Sequence, residues 1–291
     1  MENLPTLIEL IDQITQQFSE SNLYFGHGTE NAGDEAFFLV FQVCGLPFDT
    51  DEALWNQLVT PEKLQRIQQL AQQRIRQKIP LSYLLNEAWF SGLKFYVDQR
   101  VLVPRSPFAE LIQMQFEPWV DSGKILRVLD LCTGSGCMAI ATAYALPNVH
   151  IDAVDISKDA LAVAKRNVTD HLLQDRIRLI ESDVFSALSG QRYDLIISNP
   201  PYVDAADMSD LPAEYRHEPE IGLSSGSDGL DITKHILREA KHYLTPKGAL
   251  LVEVGNSFPA LEAQFPELPF TWIEISSGED GIFLLYCKDL T

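Results

Sequence analysis

The chain has 291 residues, 46% hydrophobic and 22% charged, enough for one large core and a smaller second domain. Its 22 basic residues against 41 acidic ones give a net charge of −19, a field that repels phosphate backbones, disfavours nucleic acid as the main partner and suits a basic one, though solubility alone accounts for it equally well. No run reaches the roughly 18 apolar residues of a membrane span, and Met1-Glu2-Asn3-Leu4-Pro5 lacks the layout of a signal peptide, so no membrane association and a cytoplasmic location are expected.

Leu4, Leu7, Ile8, Ile11, Ile14 and Phe18 recur at helical spacing and predict a first helix. Asp34 is the expected cap of a second, running through Phe37, Phe38, Phe41 and Val43 to a stop at Gly45 and Pro47. Thr60-Pro61 opens a third with Leu64, Ile67, Leu70, Ala71 and Ile75 on one face, and Pro80 closes it. Its other face, rich in Gln and Arg, reads as solvated, with a docking surface as the alternative. Residues 1–80 thus form an N-terminal helical domain. Residues 81–105 change character: Trp89-Phe90, Ser91-Gly92 and Leu93 to Val97 predict a β-hairpin, extended by Val101-Leu102-Val103 and ended by Pro104. This stretch is a connector to a third part, 106–291.

From Ile125 onward the pattern alternates. Strands are predicted at Ile125–Leu131, His150–Asp155, Ile177–Glu181, Tyr193–Ser198, Ala249–Val254, Thr271–Ser276 and Ile282–Cys287, with helices separating the first five. That alternation implies an α/β fold with a doubly wound, mostly parallel sheet. Gly278-Glu279-Asp280-Gly281 is too short for a crossover helix, so the last two strands pair as an antiparallel C-terminal hairpin. Four scattered cysteines, Cys44, Cys132, Cys137 and Cys287, form no CxxC pair, which argues for buried thiols and no metal site.

The loops after the strands carry the chemistry, because ligands sit at that end of open α/β sheets. Asp130-Leu131-Cys132-Thr133-Gly134-Ser135-Gly136-Cys137 follows the first strand and opens a small-residue helix. Gly134 and Gly136 permit a tight turn and close approach to a ligand. With Ala139 they satisfy a dinucleotide fingerprint, which is weak evidence for a nicotinamide, since other nucleoside binders share the glycine pair. Asp155, ending the second strand, is placed to accept both ribose hydroxyls. Asp130 would repel a pyrophosphate yet suit ammonium and sulfonium charges, which favours S-adenosylmethionine over NAD; simple turn capping is the competing reading. Asp183 follows the third strand and either receives an adenine amino group, with Val184 or Phe185 against the ring, or caps a helix. After the fourth strand comes Asn199-Pro200-Pro201-Tyr202. Two prolines fix φ and lack N–H, so their carbonyls are presented as rigid acceptors. Asn199 adds a side-chain carbonyl and Tyr202 a flat face, which together suit a planar NH2 group; a Pro-rich turn is the plainer alternative.

In order and strand position, these acidic sites and the Asn-Pro-Pro-Tyr loop resemble the class I S-adenosylmethionine-dependent methyltransferases, from about Lys124 to the C-terminus. Pro80-Leu81-Ser82-Tyr83-Leu84-Leu85, Phe90, Val101-Leu102-Val103-Pro104-Arg105 and Glu110-Leu111-Ile112 are similar to the connector of protein-(glutamine-N(5)) methyltransferases, and the helical front part matches too. That family has a release-factor branch and a large-subunit ribosomal-protein branch. Arg105 to Glu110, Asp210 to Pro219 and Glu253-Val254-Gly255-Asn256-Ser257 resemble the latter. The former usually has an acidic-threonine step and a shorter Arg-x-Glu-Pro stretch. Cys132 departs from the pattern, standing where many relatives carry another glycine.

The resemblance implies methylation of a glutamine side-chain amide in a basic, large-subunit ribosomal protein, with release factors as the alternative substrates and a nucleic-acid amino group as a more distant one. It implies catalytic roles for Asn199, Pro200, Pro201 and Tyr202. S-adenosylmethionine would be held by Asp130, Cys132, Thr133, Gly134, Ser135, Gly136, Asp155, Asp183, Val184, Phe185 and Asn199, with the front helices recognising substrate. A non-catalytic assembly factor retaining the cofactor site is the rival from another class. His217 is either polar surface or part of a substrate lid, and takes no catalytic role.

Overall fold

The computed structural model describes residues 4–276 and 281–290. The chain divides into two compact units, one of residues up to Ala88 together with Pro212–His217, the other of Trp89–Leu211 and the chain from Glu218 onward.

The first unit is helical: α1 (Leu7–Ser19), α2 (Ala32–Cys44), α3 (Pro61–Gln77) and the short α4 (Leu81–Leu85). Thr6 and Glu9 form a capping box at α1, each side chain accepting the other's backbone N–H. The cap of α2 is Asn31, whose side-chain oxygen accepts the Asp34 N–H at 2.9 Å. Asp34, expected as the cap, lies instead in the first turn, where its charge complements the helix dipole. Gly45 ends that helix at φ 69°. Thr60 caps α3 with Pro61 at its first position. Leu10, Ile14, Phe18, Leu39, Phe41, Ile67 and Leu70 share one buried core.

The Gln/Arg face of α3 is solvated, with Gln65, Arg66, Gln68, Gln69, Gln72 and Arg76 exposed, but Arg74 stands apart on the buried face. Its side chain is 1% exposed and its Nε donates to Glu35 at 2.6 Å. Nη1 donates to Glu214 at 3.0 Å and Nη2 to the Tyr24 carbonyl at 2.8 Å. Positions 67, 70, 71 and 74 share one helix face, and a guanidinium is tolerated on that buried face because two carboxylates pair its charge.

Ala88–Phe90 (β1) and Leu93–Phe95 (β2) pair in a two-stranded hairpin through Ser91 and Gly92, both at positive φ. Val101 to Val103 do not extend it. Both valines are buried in irregular chain, and the Val103 N–H donates to Glu218 rather than to a strand. A short helix, α5 (Phe108–Gln113), leads on to the sheet.

The main sheet holds β3 (Arg127–Leu131), β4 (His150–Asp155), β5 (Ile177–Glu181), β6 (Tyr193–Ser198), β7 (Leu244–Glu253), β8 (Thr271–Trp272) and β9 (Ile282–Tyr286). Their order is β5-β4-β3-β6-β7-β9-β8. Strands β3 to β7 pair in parallel, and β9 runs antiparallel between β7 and β8. Helices α6 (Cys137–Ala145), α7 (Lys158–Asp170), α8 (Ala205–Asp210), α9 (Asp231–Tyr243) and α10 (Phe258–Gln264) lie in the connections. Side chains alternate between two buried faces: Val128, Leu195, Ile197 and Leu251 on one, Leu129, Leu131, Ile196 and Leu250 on the other.

Several boundaries differ from expectation. The first strand starts at Arg127, because Leu126 and Arg127 give their N–H groups to the Asp194 carboxylate. Strand β7 begins five residues early and β8 is only two residues long. No helix separates β5 from β6; turns alone cross there. Of the expected hairpin turn, Gly278 to Asp280 lie outside the described residues.

Candidate active site

The register aligns the strand ends. Leu131 pairs with Val154 and with Ser198, Ser198 with Val252, and Asp155 with Glu181. The loops beginning at Cys132, Ile156, Ser182, Asn199 and Val254 therefore leave one edge of the sheet. From β3 the chain winds outward through β4 to β5, then crosses back to β6 on the other side of β3. The β3/β6 junction is the topological switch point, where open α/β sheets form their ligand crevice. The glycine loop and the Asn-Pro-Pro-Tyr loop flank it. The Ser198 hydroxyl ties the two strands there, donating to the Leu131 carbonyl at 2.9 Å.

The glycine loop is built for close approach. Gly134 sits at φ +55°, and a Cβ there would meet nothing within 4 Å. Gly136, at φ +79°, packs against α7, where a Cβ would come within 3.3 Å of the Ala164 methyl. Cys132 adopts φ 59°, a left-handed conformation that favours glycine. The side chains of Thr133 and Ser135 point into the protein and support the loop. Thr133 donates to Asp130 Oδ2 at 2.5 Å, and the Ser135 carbonyl accepts from Asn167. Burial raises the Asp130 carboxyl to about 7, against the pull of the Thr133 hydroxyl. Its Oδ1 is buried without a hydrogen-bond partner. An orphaned buried acceptor beside an open glycine fits a ligand that brings positive charge or a donor.

Asp155 is held by two backbone donors, Gly134 N–H on Oδ2 and Ser157 N–H on Oδ1, each at 2.9 Å. Both oxygens keep lone pairs for a diol. Burial pushes its carboxyl above the usual range, opposed by those N–H groups. Asp183 is exposed, and because no helix follows it, the helix-cap reading falls. Val184, a β-branched residue, is held at φ 46° by a turn in which the Ser182 hydroxyl donates to its carbonyl. Phe185 is fully buried and stacks on Tyr243 at 4.5 Å and 9°. It braces the loop from inside and offers no face to a ligand; Val184 is buried beside it in the same core, and of the three only Asp183 is exposed.

Asn199 is half-buried, and among the described residues nothing pairs with its side-chain amide. Pro200 is buried and Pro201 half-buried. The loop that follows is fixed by a bridge: Val203 N–H donates to the Leu223 carbonyl and its own carbonyl accepts from Ser225. Tyr202 is gripped at three points. Its hydroxyl donates to Glu253 at 2.9 Å, its carbonyl accepts from the Ser257 hydroxyl, and its ring covers Gly255, where a Cβ would stand 2.8 Å from the ring.

Glu253, Gly255 and Ser257 entered the sequence reading only as a family-like stretch. The signal for Glu253 was an acid ending an otherwise apolar strand at the ligand edge. Arg105 forms a two-pronged ion pair with the buried Glu218, at 2.6 and 2.7 Å, which anchors the segment entering α5. His217 lies in the helical unit and donates from Nε2 to the Gln77 carbonyl.

The family described as Methyltransferase small domain matches residues 116–214. The chain is 45% identical, over its full length and 93% of the relative, to a ribosomal protein uL3 glutamine methyltransferase of Francisella tularensis subsp. tularensis. It is 46% identical, over 99% of its length and 95% of the relative, to a protein of the same name from Neisseria meningitidis serogroup B. Among solved structures, the hMettl16 catalytic domain in complex with a MAT2A 3'UTR hairpin superposes with a TM-score of 0.51 at 17% identity, covering 83% of this chain and 86% of that one. At that identity the likeness concerns the fold alone.

Proposed function

The chain belongs to the family of ribosomal protein uL3 glutamine methyltransferases, and from that premise we propose that it transfers a methyl group from S-adenosylmethionine to the side-chain amide nitrogen of a glutamine in a large-subunit ribosomal protein. It is an enzyme of protein methylation that acts in the cytoplasm on a basic partner. The observation that carries this reading is the pairing of an open glycine loop with an unengaged Asn199 carboxamide across the β3/β6 switch point.

Asp130, the backbone of Cys132 to Gly136, Asp155, Asp183 and Val184 would hold the cofactor. The orphaned Asp130 oxygen and the oriented Asp155 carboxylate fit its cationic and ribose ends. When bound, S-adenosylmethionine supplies a methyl carbon made electrophilic by its sulfonium. An amide nitrogen is a poor nucleophile because its lone pair is delocalised into the carbonyl. The Asn199 side-chain oxygen and the Pro200 carbonyl accept its two hydrogens, and these bonds strengthen as positive charge grows on nitrogen. Pro201 keeps the acceptors rigid, and Tyr202 packs on the amide plane. Positioning of this kind supplies roughly 7–11 kcal/mol. The nitrogen gains the methyl as the sulfonium carbon–sulfur bond breaks, and it then sheds one of its two protons to water, so no general base is needed. Residues 1–80 recognise the substrate, 81–105 connect, and 106–291 carry the transfer.

The test is intact-mass analysis of ribosomal proteins and release factors from cells lacking the gene, complemented by wild type or by Asn199→Ala. One ribosomal protein should lose one methyl group, restored by wild type alone, while purified Asn199→Ala keeps most of its cofactor affinity. Loss of the methyl from a release factor instead would move the substrate to the other branch.

A further inference from the structure

Strand β7 ends in a way its own sequence does not require. Ala249, Leu250, Leu251 and Val252 are all fully buried, and Glu253 follows at 4% exposure. A carboxylate is buried at a penalty unless its oxygens are paired. Here Oε1 accepts from the Tyr202 hydroxyl at 2.9 Å and Oε2 from the Ser106 hydroxyl at 2.5 Å. Ser106 Oγ in turn accepts the Phe108 N–H at 3.2 Å, at the start of α5. An apolar side chain would have completed the strand just as well. These two bonds reach outside the sheet, one to the aromatic residue of the Asn-Pro-Pro-Tyr loop and one to the segment before α5.

We propose that Glu253 is a positioning residue for methyl transfer. By anchoring the Tyr202 hydroxyl it fixes the ring that packs on the substrate carboxamide, and through Ser106 it ties that ring to the chain entering α5. It acts through Tyr202, not on the reacting atoms. The Ser257 bond to the Tyr202 carbonyl and the contact with Gly255 locate the backbone and one ring face. This role rests on the glutamine methyltransferase reading.

The experiment measures turnover and cofactor affinity for wild type, Glu253→Leu, Glu253→Gln, Tyr202→Phe and the Glu253→Leu/Tyr202→Phe pair. A misplaced ring should lower kcat by about 10²-fold in Glu253→Leu. Calorimetric affinity for S-adenosylmethionine should stay within about twofold, since the two sites share no partner. Glu253→Gln keeps an acceptor for the phenol and should recover most of the loss. Tyr202→Phe cuts the same bond, so the pair should be no slower than Glu253→Leu alone. Should Glu253→Leu prove insoluble, Ser106→Ala, which releases one tether, repeats the cycle against Tyr202→Phe. Wild-type turnover in Glu253→Leu, losses that multiply in the pair, or cofactor affinity that falls in parallel with kcat would each overturn the role. Wild type that methylates no glutamine would instead refute the functional reading, and the positioning role would fall with it.

Discussion

Asp130 is a carboxyl held nearly dry, with one oxygen on the Thr133 hydroxyl and the other without a partner. Its folded-state value is raised from 3.8 to about 7, chiefly by burial. As pH rises from about 4 the unfolded chain therefore loses this proton first. The group's contribution to stability is full at low pH and declines until about 7. A cation bound beside it reverses the preference and ionises the acid. Affinity for S-adenosylmethionine should thus rise as pH passes through about 7, with proton release visible as a dependence of calorimetric heat on the buffer. Asp130→Asn should bind more weakly and lose that pH dependence. Cys132 and Val184 show the same local logic in the backbone, since both hold positive φ at the ligand edge. Such strain persists only where surrounding bonds fix it.

At the level of elements, the buried Arg74 links α3, α2 and the Pro212–His217 segment within the helical unit. Burial pushes the Glu214 carboxyl up, but the Tyr24 N–H and the Arg74 guanidinium outweigh it and hold it below its ordinary value. Its contribution to stability is present above the unfolded value and is lost as pH falls through the lowered one. Arg74→Met leaves Glu35 and Glu214 buried without their cation. It should cost about 3–5 kcal/mol, read as a lower urea midpoint. A midpoint equal to wild type would mean the pair contributes nothing. A comparable cluster forms in the second unit, where Asp152 on β4 gathers Arg127, Arg178 and the Tyr193 hydroxyl from β3, β5 and β6.

For the molecule as a whole, the charge of −19 is a statement about encounter. On the proposed reading an acidic enzyme meets a basic ribosomal protein and gains from long-range attraction, which salt screens as the Debye length contracts from about 10 Å at 0.1 M to about 3 Å at 1 M. The value of kcat/KM on the intact protein should fall with added salt while kcat holds. A short neutral glutamine peptide should show a much shallower slope. Equal slopes would assign the charge to solubility. Among the described residues no helix is long and apolar enough to cross a membrane.

The α/β alternation, the antiparallel C-terminal pair and the loops that leave the strand ends were legible in the residues, because strand periodicity, glycine pairs and proline pairs are local rules that act over a few positions. The helical front was legible too, except where a competing local bond intervened, as with Asn31 displacing Asp34 as a cap. What the fold decided is whatever depends on partners distant in the chain. Arg74 holds a charge at a core position of α3, and it is tolerated there because Glu214 lies 140 residues away in sequence and 3.0 Å away in space. Phe185 reads as a ligand face but is claimed by Tyr243. Glu253 enters the sequence only as part of a family-like stretch, and the pairing of β6 with β7 brings it to Tyr202. Local propensity sets which elements form; which polar groups find each other is fixed only when desolvation forces every buried donor and acceptor to be matched.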